Sequence, residues 1–250
     1  MQRYFIDEDN WQDGYIAITG DDYHHITNVM RMDIDSEILC NHPNGKVAHC
    51  KIEKIDTTTV VVKIIEWLES NTDSPISITI AQGLPKGDKW EFILQKSTEL
   101  GVSRMIAFQA ERSVVKWDDK KVNKKFARWE KIVKEASEQS HRNKIPSVDG
   151  VLSFSALLEE SKNYEWKFFA FEDEARNRQS KKLHDYFAKI NEGDSVFVCI
   201  GPEGGFSLNE VEQLLAASFQ AIRLGPRILR TETAPLYVLS SLSYYFEEMR

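Results

Sequence analysis

From Ser77 onward, short apolar runs alternate with longer amphipathic stretches, and this rhythm restricts the fold more than any other feature of the chain. ISITIAQGL precedes a helical pattern from Trp90 to Leu100, RMIAFQA a longer one from Lys121 to Gln139, KFFAFE one near Ser180 to Ile190, and VFVCIG the stretch LNEVEQLL. Apolar runs of this kind are buried on both faces, and joining them in parallel requires crossovers of helical length. The reading is therefore an α/β domain with a largely parallel sheet. Within 121–139, Phe126, Trp129, Ile132, Val133 and Ala136 recur at helical spacing while most of the lysines fall elsewhere on the circumference. That helix has both a core face and a basic face.

Before residue 70 the rhythm is different. RYFID, GYIAIT, SEILCN, KVAHCKIEKID and TVVVKIIEWLE are β-type runs broken by turns, and Pro43-Asn44-Gly45 reads as a hairpin turn. A helical stretch around Asp22 to Met32 interrupts them, with His25, Val29 and Met32 at helical spacing. This pattern predicts a small β-barrel. Ser70-Asn71-Thr72-Asp73-Ser74-Pro75 gathers turn formers and a proline, so the expected domains are 1–72 and 73–250. There is no internal repeat and no low-complexity tract.

Charge bears on the partner. The formal net charge of −7, taken whole, opposes a polyanion. Counted by segment, residues 1–73 carry 14 acidic and 6 basic side chains, residues 74–150 carry 10 and 15, and residues 151–250 carry 15 and 11. The middle third is thus a basic island, from Lys86 and Lys89 through Arg112, Lys116 and the lysines of 120–134 to Arg142 and Lys144. A phosphate backbone meets that local field, although a solvated helix face gives the same pattern. No apolar run approaches the roughly 18–20 residues of a membrane span. The opening MQRYFIDEDNW is acidic where a secretory signal has a basic region and an apolar stretch. A cytoplasmic location and no membrane partner are expected. Cys40, Cys50 and Cys199 are odd in number and lack CxxC or Cys/His zinc spacing, so neither a disulfide framework nor a metal is expected.

Two glycine-bearing loops carry the chemistry. Val196 to Ile200, then Gly201-Pro202-Glu203-Gly204-Gly205-Phe206-Ser207, then LNEVEQLL reads as strand, loop and helix. Such a loop lets a ligand approach the backbone and leaves free N–H groups at the next helix. Ser207 is a predicted N-cap, with Glu210 completing a capping box. GxGxxG is absent and no Lys-Ser/Thr pair follows the glycines. An unpaired Glu203 would also repel a di- or triphosphate, so an uncharged or cationic ligand fits better. In the second segment a strand ends at Leu224, a loop carries Gly225, and an apolar helix begins near Thr233 with Pro235 in its first turn. Arg227, Arg230 and Glu232 of this loop are suited to recognising an adenosine-like molecule, placing a carboxylate and managing a proton. The helix, with Leu236, Leu239, Leu242 and Tyr244, is too apolar to face solvent and points to a core or a subunit interface.

Two such loops and a closing apolar helix look like the cofactor site of the SPOUT methyltransferases. The likeness narrows with QGLPKGDKWEFILQKSTELGV at 82–102, ERSVVKW at 111–117, EASEQSHRNKIP at 135–146, IGPEGGFS at 200–207 and LGPRILRTETAP at 224–235. With the RYF opening at Arg3 and HHITNVMRM from His24 to Met32, these motifs resemble the ribosomal RNA small subunit methyltransferase E family along essentially the whole chain. The resemblance implies a PUA-like β-barrel before a SPOUT-type, trefoil-knotted α/β domain, and a homodimer. It also implies methyl transfer from S-adenosyl-L-methionine to N3 of one uridine in small-subunit ribosomal RNA, free or in the assembled subunit.

The implied cofactor contacts are Ile200, Gly201, Pro202, Glu203, Gly204 and Gly205 on one loop, and Leu224, Gly225, Ile228, Leu229, Thr233 and Ala234 on the other. Arg230 is expected to stabilise the developing uracil imide charge or orient the substrate, and Glu232 to accept the N3 proton or orient Arg230. A guanidinium stays charged at working pH and is no ordinary base. Expected RNA contacts are Lys86, Lys89, Arg112, Lys116 and Arg142, with Arg3, His25 and Arg31 from the barrel. The competing readings are a non-catalytic RNA-binding or ribosome-assembly factor, and a SPOUT methyltransferase acting on another RNA.

Overall fold

In the computed structural model the described residues are 1–69, 71–117, 119–171 and 181–249. They divide into two compact units, Met1–Asp73 with Ser137–Ile145, and Ser74–Ala136 with Pro146–Arg250.

The first unit contains β1 (Arg3–Phe5), β2 (Trp11–Gln12), β3 (Tyr15–Ile18), α1 (Gly20–His24), β4 (Glu37–Asn41), β5 (Val47–Ile55) and β6 (Val60–Leu68). Its sheet runs β1-β4-β5-β6-β3-β2, with β1 and β4 parallel and the other neighbours antiparallel. Cys50, Ile52, Val60 and Val62 alternate inward to meet Tyr4, Ile16, Ile18 and Ile38, while Lys51, Glu53 and Lys63 point outward. Two register shifts between β5 and β6 bend the ribbon, as extra residues in one strand do. The predicted hairpin turn is present between β4 and β5. The helical stretch differs in phase from the sequence reading. After α1 a wider π-type turn covers His25–Val29, which buries Ile26 and leaves Val29 58% exposed.

One segment joins this unit from far along the chain. The Arg3 guanidinium donates to the Arg142 carbonyl at 2.9 Å, and Asn41 Nδ2 donates to the carbonyls of Arg142 at 2.8 Å and Asn143 at 3.0 Å. Asn143 Nδ2 donates in turn to the Gly45 carbonyl at 3.0 Å. Where the sequence reading places 73–250 in one domain, residues 137–145 therefore pack with the barrel. No periodicity announces this, because the attachment consists of hydrogen bonds and an ion pair between residues far apart in sequence.

The second unit contains β7 (Ser77–Gly83), α2 (Lys89–Glu99), β8 (Arg104–Gln109), α3 (Asp119–Gln139, completed in the first unit), β9 (Ser147–Ser153) and α4 (Phe154–Glu160). It continues with β10 (Trp166–Ala170), α5 (Leu183–Phe187), β11 (Ser195–Ile200), α6 (Leu208–Ala216), β12 (Gln220–Ile222) and α7 (Ala234–Ser243). Every strand pair is parallel, in the order β12-β10-β11-β7-β8-β9. β9 and α4 were not expected, since SVDGVLS is only part-buried at the sheet edge and lacks a dense apolar run. Ser180, the expected start of the helix before β11, lies outside the described residues, as do Ser70 of the linker and Glu172. Phe108, Phe169, Phe197, Phe206 and Phe219 dominate one core layer, and α7 buries Val238, Leu239 and Leu242 while packing on α2.

The chain leaves β7 toward β8 and leaves β11 toward β12, on opposite sides of the sheet. In open α/β sheets such a switch point, at the carboxyl ends of the strands, is where ligands bind.

Asn41 is fully buried, and its removal takes one buried donor from each of the carbonyls of Arg142 and Asn143. Asn41→Ala is expected to lower stability by about 1–3 kcal/mol, read as a shifted urea midpoint. An unchanged midpoint would show that these bonds contribute nothing to the attachment.

Candidate active site

The loop after β11 is shaped by two glycines. A Cβ on Gly204 would lie 2.9 Å from Arg112 Cβ and 3.1 Å from the Arg112 carbonyl oxygen, so any larger residue parts the two segments. Gly205 sits at φ +65°, and its N–H donates to the Pro202 carbonyl at 2.9 Å, which closes the turn. The predicted capping box is present: Ser207 Oγ accepts from the Glu210 amide at 3.2 Å, and Glu210 accepts from the Ser207 amide at 2.8 Å. The second Glu210 oxygen accepts from the Glu111 amide at 2.8 Å, which ties the loop before α3 to the start of α6.

β12 ends at Ile222, two residues before the expected Leu224, and the following loop folds back on the first. Thr231 Oγ1 donates to the Gly201 carbonyl at 2.7 Å and accepts from Gln82 Nε2 at 2.8 Å. Gln82, fully buried near the end of β7, also donates to the Gly83 carbonyl at 3.0 Å. The ends of β7 and β11 thus meet the loop after β12 at one buried hydroxyl. A second tie is ionic. Lys89 Nζ lies 3.1 Å from Glu203 Oε1 and 2.9 Å from Glu232 Oε2, one carboxylate from each loop, and the Lys86 amide donates to Glu203 at 3.1 Å. Glu203 is therefore paired, which removes the sequence argument that it repels a phosphate as an unpaired carboxylate.

These contacts set the protonation states. Burial alone would raise the carboxyl of Glu203, but its own amide, the Lys86 amide and Lys89 outweigh burial and hold it below 4.5. For Glu232 burial is likewise overcome, by Lys89, by its own amide and by the charge of Arg230. Lys89 is raised above 10.5, chiefly by its bond to Glu232. All three are charged at neutral pH, and Glu232 is a weak proton acceptor.

The loops enclose a cavity of about 490 Å³ at the carboxyl ends of β10, β11 and β12. Phe171, Ile200, Ile222, Leu224, Ile228 and Leu229 supply an apolar wall, and Lys89, Arg112, Arg227, Arg230, Glu203 and Glu232 supply charge. This donor set suits a flat apolar ring joined to a chain that bears both an ammonium and a carboxylate. Of the expected cofactor residues, Ile200 to Gly205, Leu224, Ile228, Leu229 and Ala234 line the cavity together with Arg230 and Glu232. Gly225 and Thr233 are not in the lining. Gly225 sits at φ +77°, and the Thr233 amide donates to the Arg230 carbonyl at 2.9 Å. Gln82 and Thr231 escaped the sequence reading. The available signal was a polar Gln closing the apolar run ISITIAQ at the carboxyl end of a parallel strand.

The expected RNA contacts separate. Lys86, Arg112 and Lys116 are exposed, and Arg112 donates to the Gly204 carbonyl at 3.3 Å. Lys89 belongs to the cavity. Arg142 is 5% exposed and bound to Asp73 at 3.2 Å, and Arg3 is 6% exposed, so both hold the first unit together where surface contacts were expected. A guanidinium buried within its own unit is not presented to a phosphate. In that unit Arg31 is exposed and His25 is part-buried, its Nδ1 3.0 Å from the Tyr4 hydroxyl. Among the described residues no helix is long and apolar enough to cross a membrane, and no group of three metal-ligating side chains occurs.

A parallel sheet whose carboxyl ends carry this two-loop cavity, in a chain that also folds a small β-barrel, defines an RNA methyltransferase class. The family model for the RNA methyltransferase domain matches residues 72–243, and that for the RNA methyltransferase PUA domain matches residues 18–65. The ribosomal RNA small subunit methyltransferase E of Bacillus subtilis (strain 168) is 45% identical, the match covering 100% of this chain and 99% of that one. The protein of the same name from Mycobacterium bovis is 31% identical, with 92% and 86% covered. A crystal structure of a ribosomal RNA small subunit methyltransferase E from Neisseria gonorrhoeae, bound to S-adenosyl methionine, superposes with a TM-score of 0.85 at 30% identity, covering 98% of each chain. The chain belongs to the ribosomal RNA small subunit methyltransferase E family.

The sign of the Lys89 contribution follows from the shifts. Carboxyls held below their ordinary value add stability that is present above 4.5 and lost as pH falls through their folded values. Lys89 adds stability that is lost only as pH rises beyond 10.5. Lys89→Met is expected to cost about 1 kcal/mol near neutral pH, as for a partly exposed network. Urea unfolding should show that difference shrinking below about pH 4.5, whereas a difference constant down to pH 3 would remove Lys89 from the tie.

Proposed function

We propose that the protein transfers a methyl group from S-adenosylmethionine to N3 of one uridine in small-subunit ribosomal RNA, in the cytoplasm and as a homodimer. The observation that carries the reading is the two-loop cavity, with Arg230 and Glu232 in the same wall. The close approach of Gly204 to Arg112, the apolar wall and the opposite charges fit the ring and the zwitterionic end of this cofactor. The Neisseria relative is described as bound to it. When bound, S-adenosylmethionine supplies an electrophilic sulfonium methyl.

The remaining steps fall to the chain. Uracil N3 carries a proton and becomes nucleophilic as that proton leaves. Arg230, exposed at the cavity and permanently charged, stabilises the negative charge that develops across the imide. Glu232, ionised and bound to Lys89 in the same cavity wall, is assigned the orientation of Arg230 or the acceptance of the N3 proton as it leaves. Lys86, Arg112 and Lys116 are assigned phosphate contacts that position the RNA. The trefoil knot is assigned to the last third of the chain, a reading supported by the Gln82–Thr231–Gly201 junction between strand ends distant in sequence. The dimer contact is assigned to α2 and α7, where Phe92 is 45% and Tyr244, just beyond α7, 61% exposed. The barrel at 1–72 is assigned to RNA binding.

Mass mapping of nucleosides after incubating unmethylated small subunits with protein and cofactor should place the new methyl on uridine N3. A methyl on ribose or on another base would overturn the chemistry. Arg230→Ala is expected to cut turnover by about 10²–10³-fold, the scale of a lost transition-state donor, while calorimetric affinity for the cofactor stays within about twofold. Gly204→Val should do the reverse and weaken cofactor binding by about 1–3 kcal/mol, because the loop must move off Arg112. Equal loss of both functions in Arg230→Ala would place Arg230 in the cofactor loop.

A further inference from the structure

The first unit raises a problem for RNA binding that its aromatic side chains answer. Residues 1–73 carry 14 acidic and 6 basic side chains, and its Arg3 is buried. General attraction to phosphate is therefore unavailable there. Yet the β2–β3 hairpin, the β4–β5 turn and the end of β6 enclose a second cavity of about 300 Å³, lined by Trp11, Tyr15, His42 and Trp67 with Lys46 and Asn44 at its edge. Trp11 and Trp67 are stacked with centroids 5.5 Å apart and planes 17° apart, and His42 meets Trp11 edge-on at 4.9 Å.

The arrangement is fixed from behind and open in front. Trp11 Nε1 donates to the Ile6 carbonyl at 3.1 Å, and the His42 ring accepts from the Asn44 amide at 3.2 Å, so both rings are held by the barrel. Trp67 remains 48% exposed and Tyr15 39% exposed. Lys46 is exposed, and among the described residues no carboxylate lies within 4.0 Å of its ammonium. Asn44 anchors the Lys46 amide through Oδ1 at 2.9 Å. Asp13 is the acidic member of the lining and suits the N–H edge of a base better than a phosphate.

We infer that this cavity is a nucleobase-stacking site, in which Trp67, backed by Trp11, receives one unpaired base of the RNA substrate and Lys46 takes an adjoining phosphate. Aromatic stacking tolerates any base and needs no net positive charge, which is how an acidic barrel can hold RNA. The site rests on the reading of the protein as an RNA methyltransferase, but it is separable from the methyl-transfer chemistry.

The test uses the full-length protein and a fluorescein-labelled, single-stranded ten-nucleotide oligouridylate, with unlabelled small subunits as competitor. Adding oligouridylate should quench tryptophan emission, and Trp67→Ala should weaken binding by about 5- to 100-fold, the range for loss of one stacked base. Trp67→Phe should restore most of the affinity, Lys46→Ala should lower the slope of log K against log salt by about one phosphate contact, and cofactor affinity should be unchanged in all three. Oligouridylate affinity unmoved by Trp67→Ala, in a protein that still methylates small subunits, overturns the site and leaves the function standing. Loss of affinity in Trp67→Ala from a protein that transfers no methyl would support the site and overturn the function. Should Trp67→Ala fail to fold, Trp67→Phe and Lys46→Ala decide, and wild-type affinity together with an unaltered salt slope in Lys46→Ala overturns the phosphate contact.

Discussion

The buried hydroxyl of Thr231 holds the catalytic unit's functional end in register. It donates to the Gly201 carbonyl and accepts from Gln82, so the loops after β11 and β12 and the end of β7 share one junction. Gln82 and Thr231 are buried, and an unmade bond there costs a desolvation penalty. The junction therefore fixes the two loops that line the cavity relative to the end of β7. Gly204 against Arg112 and Glu210 against the Glu111 amide extend the same logic to the segment after β8. Loops positioned by a rigid parallel sheet are where chemistry is placed most readily.

Charge is distributed by task. In the basic island Arg128 and Lys125 lie on Glu91, Arg142 on Asp73, and Lys89 on the two loop carboxylates. The exposed cations left facing solvent near the cavity are fewer than the raw count of lysines and arginines. Lys89 shows why the count misleads: the same ammonium that reads as a phosphate contact is paired with Glu203 and Glu232, and together with backbone amides it holds both carboxyls below their ordinary value. A site with charges of both signs held in place is preorganised for a zwitterionic ligand, since little has to reorient on binding.

Much of the fold and of the cavity was legible in the chain. The switch from period-two runs to alternating strands and helices at Ser77, the Ser207–Glu210 capping box and the two glycine loops are all local signals, and each appears in the structure, with the strand before the second loop ending two residues early. What escaped was nonlocal or weakly patterned. β9 and α4 lack a dense apolar run, β2 is two residues long, and His25–Val29 changes helical phase through a wider turn that periodicity cannot encode. Gln82 and Thr231 are ordinary polar residues until the strand ends converge, and Arg3 and Arg142 look like surface cations until their burial is seen.

The sequence by itself determined the class of each segment and the residue types available to the site, because hydrophobic period, caps and glycine positions act over a few residues. Only the tertiary structure decided which charges pair, which polar groups are buried and which side chains share a cavity. Those properties depend on distances between residues such as Gln82 and Thr231, 149 positions apart, and no local pattern carries such a distance.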